Sequence, residues 1–84
     1  MVEPHVVALE QRVLEVVARV LTISAEQLRA EPSLSAHGWT SLAAMETFVA
    51  LEEEFRAILD MSALARARSI EDLVKLVIDA GADG

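Results

Sequence analysis

Ser41 is the residue of this chain best placed to do chemistry. It lies in Gly38-Trp39-Thr40-Ser41-Leu42, ahead of an apolar and then acidic stretch ending Leu51-Glu52-Glu53-Glu54-Phe55, with no basic residue between Ser41 and Phe55. A hydroxyl in that setting can act as a nucleophile, cap a helix or accept a covalent group. Nucleophilic catalysis would need a base, an orienting acid and oxyanion donors around a concave site, and a nucleophile elbow reads G-x-S-x-G. The segment does not match that motif, and a small chain with 4% aromatic residues has little room for a water-excluding pocket. His37, the nearest candidate base, reads as a solvated loop histidine. Metal chemistry is not expected either, because His5 and His37 are far apart, cysteine is absent, and Glu52-Glu53-Glu54 lacks the central glycine of a calcium loop. The chain therefore reads as a non-enzyme, with Ser41 either a helix cap or a site of modification.

The elements that must position Ser41 follow from periodicity. Pro4 can open a first helix over residues 5–21, whose apolar face is Val6, Leu9, Val13, Val16, Val17, Val20 and Leu21. Ser24-Ala25-Glu26-Gln27 matches a capping box and predicts a short turn before Leu28. Residues 31–38 form an irregular connection bracketed by Pro32 and Gly38, with Leu34 as its anchor in the core. The second long helix begins at Thr40 or Ser41, since either hydroxyl can accept from a first-turn amide. Its buried stripe is read as Leu42, Met45, Phe48, Val49 and Phe55, with Leu51 nearer the edge. Residues 61–66 allow only a short helix. The last helix starts at the Ser69 cap, buries Ile70, Leu73, Val74, Val77 and Ile78, and stops at Gly81 before a frayed tail. The fold predicted is all-α: a small four-helix bundle of three principal helices plus a short third one, with a long first loop.

Composition agrees with this and narrows the partners. Eighty-four residues make a single domain over 1–84, and 54% hydrophobic residues with few aromatics suit helical packing. No stretch of about 18 uncharged apolar residues is present, and the N-terminal residues do not resemble a signal peptide, so a soluble cytoplasmic protein is expected, with no membrane partner. The net charge of −7 repels nucleic acid. Residues 41–60 hold Glu46, Glu52, Glu53, Glu54 and Asp60 against Arg56, a patch suited to basic protein surfaces.

Taken together, the glycine loop, the serine at a helix start, the apolar-acidic helix and the final helix opening Ser69-Ile70-Glu71-Asp72-Leu73 resemble the acyl carrier protein family in order and spacing, over nearly the full chain. In that family the serine of a G-x-D-S-L motif receives 4'-phosphopantetheine from coenzyme A, and the arm's thiol carries acyl groups as thioesters. The resemblance implies that Ser41 is the attachment site, that Gly38, Trp39, Thr40 and Leu42 adjoin the arm, and that Leu42, Met45, Glu46, Glu52, Glu53, Glu54 and Met61 meet partner enzymes. It implies a discrete monomeric carrier for fatty acid or polyketide-type assembly, the latter preferred. Its partners would be a phosphopantetheinyl transferase and an acyltransferase, ketosynthase or acyl/aminoacyl ligase. Met61, Leu64 and Ala65 would form an adjustable wall beside the arm. Two positions depart from the pattern: Thr40 replaces the family's aspartate, which helps engage the transferase and its metal, and His37 replaces a common apolar residue. Trp39, in the variable position, either covers the loop against the core or contacts the arm or a partner. The alternatives are a peptidyl or aminoacyl carrier, whose motif is closer to G-G-x-S, and an unmodified carrier-like helical adaptor.

Overall fold

The computed structural model describes residues 4–81, and side chains from residue 7 onward. Helix α1 spans Pro4–Leu21. Leu9, Val13, Val16 and Val17 are buried as their spacing predicts, and Leu14 and Ala18 join them, whereas Val20 and Leu21 are only half-buried. The Val6 side chain lies outside the described residues. Helix α2, Ala25–Ala30, is longer than the single turn expected, and its capping box is complete: Ser24 Oγ accepts from Gln27 N and Gln27 Oε1 accepts from Ser24 N, each at 3.0 Å. It buries Leu28.

The connection that follows contains a 3-10 turn at Leu34–His37, and Leu34 is fully buried, as predicted. Two backbone bonds clip this connection to the chain ahead of the last helix: Leu34 N donates to Arg68 O at 2.9 Å and Ile70 N to Pro32 O at 3.1 Å. Gly38 then turns the chain with φ +77°, and a Cβ at Gly38 would meet nothing within 4 Å, so glycine is required here by backbone angle and not by space.

Helix α3, Ser41–Phe55, overturns the predicted stripe. Its buried residues are Ala43, Ala44, Thr47 and Leu51, spaced at i, i+1, i+4 and i+8. Leu51, expected at the edge, is fully buried and sits in the hydrophobic core. Such burial contributes about 1.5–3 kcal/mol. Leu42, Met45 and Val49, expected inside, are exposed, while Phe48 and Phe55 pack half-buried against the core. The physical reason is that α3 is apolar nearly all round. Two stripes compete, and the smaller side chains allow the closer approach to α1.

Helix α4, Met61–Ala65, is one short turn capped by Asp60, whose Oδ1 accepts from Ser62 N at 2.9 Å and Ala63 N at 3.3 Å. Helix α5, Ile70–Asp79, is capped by Ser69 through Asp72 N, with Glu71 and Asp72 at the positive end of its dipole. Ile70, Leu73, Val74 and Val77 are buried as predicted, but Ile78 is exposed. Gly81 follows with φ +92°, and the expected tail lies outside the described residues.

Helix α1 packs against α2, α3 and α5, and α4 bridges α3 and α5. One hydrophobic cluster draws from all five helices. The described residues form the all-α bundle predicted, with three principal helices, the short α4 and the small additional α2.

Candidate functional site

The head of α3 resolves which hydroxyl caps it. Thr40 is the N-cap, with φ −104° and ψ 172°, and its Oγ1 accepts from Ala43 N at 3.1 Å. Ser41 is the first helical residue, and its side chain is exposed with no hydrogen bond among the described residues. Its hydroxyl is therefore free. The Ser41 and Leu42 amides precede the first intrahelical donor and take no acceptor among the described residues, so the end of the helix presents unpaired N–H groups and positive partial charge.

Beside Ser41 a cleft of about 290 Å³ opens between the start of α3 and α4, lined by Trp39, Thr40, Ser41, Met45, Met61 and Ala65 among others. It brings together residues far apart in sequence, Met61 with Ser41 above all. Trp39 packs half-buried against the core, and its Nε1 is shielded from solvent without an acceptor. Gly38 is not among the residues lining this cleft; it contributes the turn that delivers Thr40 to the cap. His37 is half-buried rather than solvated, and its Nε2–H donates to the Glu31 carbonyl at 2.6 Å, which ties the ring back into the loop. Ser41 has no bond to it.

A second concavity, about 660 Å³, lies along the outer face of α3 against α1 and includes Arg19, Leu42, Met45, Glu46, Val49 and Glu53 in its lining. Leu42, Met45 and Val49 are 66%, 56% and 50% exposed, an apolar stripe at helical spacing. Met45 lines both concavities and joins the stripe to the Ser41 cleft.

The four glutamates expected on one face do not act alike. Glu52 turns inward, and its Oε2 accepts from Leu59 N at 2.9 Å. Glu54 accepts from Arg12 Nε at 3.1 Å while Arg12 Nη2 donates to the Glu54 carbonyl at 3.1 Å, and the same guanidinium sits 4.5 Å from the Phe55 ring centroid. Among the described residues Glu46 and Glu53 make no side-chain hydrogen bond or ion pair, so they are the acids of α3 left open to solvent. Glu52 and Glu54 thus have bonding partners within the chain, and Glu54 also lines the outer concavity.

From the sequence Val49 reads as a core residue, not as part of the site, and Ile58 has no assigned role. Ile58 is 91% exposed in the turn after α3, next to the buried Leu59. The available signal was a bulky apolar residue where the helical period fails. Among the described residues no group of three or more His, Cys, Asp or Glu is placed to hold a metal ion, and no helix is long and apolar enough to cross a membrane.

The family model described as Phosphopantetheine attachment site matches residues 11–77. No curated protein matches the chain.

Proposed function

The chain belongs to the phosphopantetheine-attachment family, and on that premise we propose that Ser41 is its attachment residue and that it serves as an acyl carrier protein in fatty acid or polyketide-type assembly. The family is one of carriers that bear covalent 4'-phosphopantetheine. The observation that carries the assignment to Ser41 is its exposed, unpartnered hydroxyl at the first residue of α3, left free because Thr40 makes the cap.

The residues present fit the group. The hydroxyl is open to a transferase, and the unpaired amides of Ser41 and Leu42 and the positive end of the helix favour a phosphodiester there. Ser41 Oγ bonds to the phosphorus of the phosphopantetheinyl unit of coenzyme A as the bond to the departing adenosine 3',5'-bisphosphate breaks, and the hydroxyl proton passes to a base of the transferase. Once attached, the arm supplies a terminal thiol that holds acyl groups as thioesters. Gly38 and Thr40 hold the serine at the helix start, and Met45, Met61 and Ala65 wall the cleft beside it.

Partner enzymes with basic docking surfaces would meet the outer face of α3. Leu42, Met45 and Val49 supply apolar area there, and Glu46 and Glu53 supply charge that steers encounter. This acidic face, and the lack of a second glycine beside Gly38, favour acyl over aminoacyl cargo.

The test is incubation with coenzyme A and a broad-specificity phosphopantetheinyl transferase, followed by intact mass. A single phosphopantetheine adduct is expected, absent from Ser41→Ala. No adduct with several transferases, or one that persists in Ser41→Ala, overturns the assignment and favours an unmodified helical adaptor.

A further inference from the structure

Trp39 lines the cleft beside Ser41, and its Nε1 is a buried donor without a partner. Buried N–H groups are nearly always paired, and leaving one unpaired carries the desolvation penalty of the group. Here the indole N–H is shut off from solvent and finds no acceptor. The ring is not locked in the deep core as Leu51 is. It is half-buried and forms a shared wall, with Ala65, between the cleft that holds Ser41 and a larger cavity of about 580 Å³ on the other side, lined by Ser33, Ser35, Arg66 and Arg68. Space on both sides lets the ring turn about its side-chain bonds. Because the N–H has no partner in its present place, turning breaks no hydrogen bond.

The rest of the Ser41 cleft has little to offer an oxygen acceptor. Ala44, Met45, Met61 and Ala65 are apolar there, and Thr40, which accepts from the Ala43 amide, is exposed, so its hydroxyl proton is already satisfied by water. Once Ser41 is esterified, its own hydroxyl proton is gone. The Ser41 and Leu42 amides face the phosphodiester, and the indole N–H, two residues away along the chain, is then the donor that has neither water nor a protein partner. A phosphopantetheine arm starts at Ser41 and carries amide carbonyls, which need donors and nothing else.

We infer that Trp39 is a positioning residue: its Nε1–H donates to a carbonyl oxygen of the arm and draws the proximal arm into the α3–α4 cleft, out of solvent. This rests on Ser41 being the attachment residue. One net hydrogen bond shifts the docked-to-free ratio of the arm by about fivefold.

The chain holds one tryptophan, so its indole resonance is unambiguous. The full-length protein, labelled with 15N, is converted to its arm-bearing form with coenzyme A whose pantetheine carbonyls are 13C-labelled, and conversion is verified by intact mass. The expected result is a displaced indole signal with a through-space cross-peak from the indole N–H to arm protons. In Trp39→Phe, which keeps an aromatic wall and deletes the donor, the arm carbonyl signals should move toward their values in the unfolded protein, reflecting the roughly fivefold fall in the docked-to-free ratio. A verified adduct with no indole–arm cross-peak in the wild type overturns the inference and leaves the Ser41 assignment standing. So do arm carbonyl signals identical in wild type and a folded Trp39→Phe. Absence of any adduct sinks both together, and the mass spectrum distinguishes that case.

Discussion

Substitution of Thr40 separates two tasks that meet at the head of α3. Thr40 Oγ1 accepts from Ala43 N at 3.1 Å, and no acidic residue occupies the first turn of the helix. Thr40→Ala removes the acceptor and leaves the Ala43 amide to water, a loss of about 0.5–2 kcal/mol. A loss of about 1 kcal/mol lowers the melting temperature of a domain this size by about 4–8 °C. Thr40→Asp keeps an acceptor and gives α3 its first negative charge at the positive end of the dipole, a gain of about 0.3–1 kcal/mol at low ionic strength. The aspartate variant should therefore melt at or above the wild type. Modification should follow a different order, because an aspartate at this position in the acyl carrier family helps engage the transferase and its metal. Thr40→Asp should form the phosphopantetheine adduct faster than wild type, and Thr40→Ala no faster. The assay pairs thermal unfolding at low salt with initial rates of adduct formation by intact mass. A Thr40→Ala protein that melts with the wild type refutes the cap. A Thr40→Asp protein modified no faster than wild type refutes the account of the missing carboxylate.

Three further variants test other side chains of α3. Thr47 Oγ1 is fully buried without a partner, so Thr47→Val should raise stability by about 1–2 kcal/mol, read as a higher urea midpoint at unchanged slope; an equal or lower midpoint would mean the hydroxyl is paired in solution. Glu46→Lys combined with Glu53→Lys should slow turnover by transferase or partner enzymes in a salt-sensitive way at constant helical content, and unchanged kinetics at low salt would show that face to be merely solvated. Glu52→Gln should do the reverse, lowering stability by about 1 kcal/mol because Leu59 N loses a charged acceptor, with no salt-dependent loss of turnover.

What could be read in advance was set by local chemistry. The caps at Ser24 and Ser69, the anchor at Leu34 and the turn at Gly38 each depend on a few neighbouring residues, and each appears where its residues predict. Most of the core faces of α1 and α5, where charged residues mark the opposite side, follow as well, with Val20, Leu21 and Ile78 near the helix ends the exceptions. Helix α3 has no such contrast. Ala43, Ala44 and Thr47 carry little hydrophobic signal, so Leu42, Met45 and Val49 looked like the core stripe while Leu51 looked marginal. Packing decided it, through contacts with α1 that periodicity does not encode. The acidic run divides for a related reason. Three adjacent glutamates point in three directions on a helix, and where Glu52 and Glu54 end depends on Leu59 and Arg12, seven residues ahead of one and 42 behind the other. In the cleft beside Ser41, local chemistry pointed to the serine and its loop, whereas Met61 and Ala65 were expected there through the family resemblance alone, because they reach it by the tertiary path of α4.

The backbone clip between the first connection and the start of α5 has a consequence for how the molecule opens. Leu34 N–Arg68 O and Ile70 N–Pro32 O fasten the two ends of the stretch that contains α3 and α4. Closing a loop of about 35 residues carries an entropic cost of about 3 kcal/mol, met once, at the neck, by bonds that involve neither α4 nor the cleft. The single turn of α4, held by Asp60 at its head, can then melt and re-form as a small cooperative unit while the neck stays tied and α1 and α5 stay packed. The cost of opening the wall beside Ser41 is then set by the contacts of α4 itself, above all the fully buried Leu64, whose exposure costs about 1.5–3 kcal/mol.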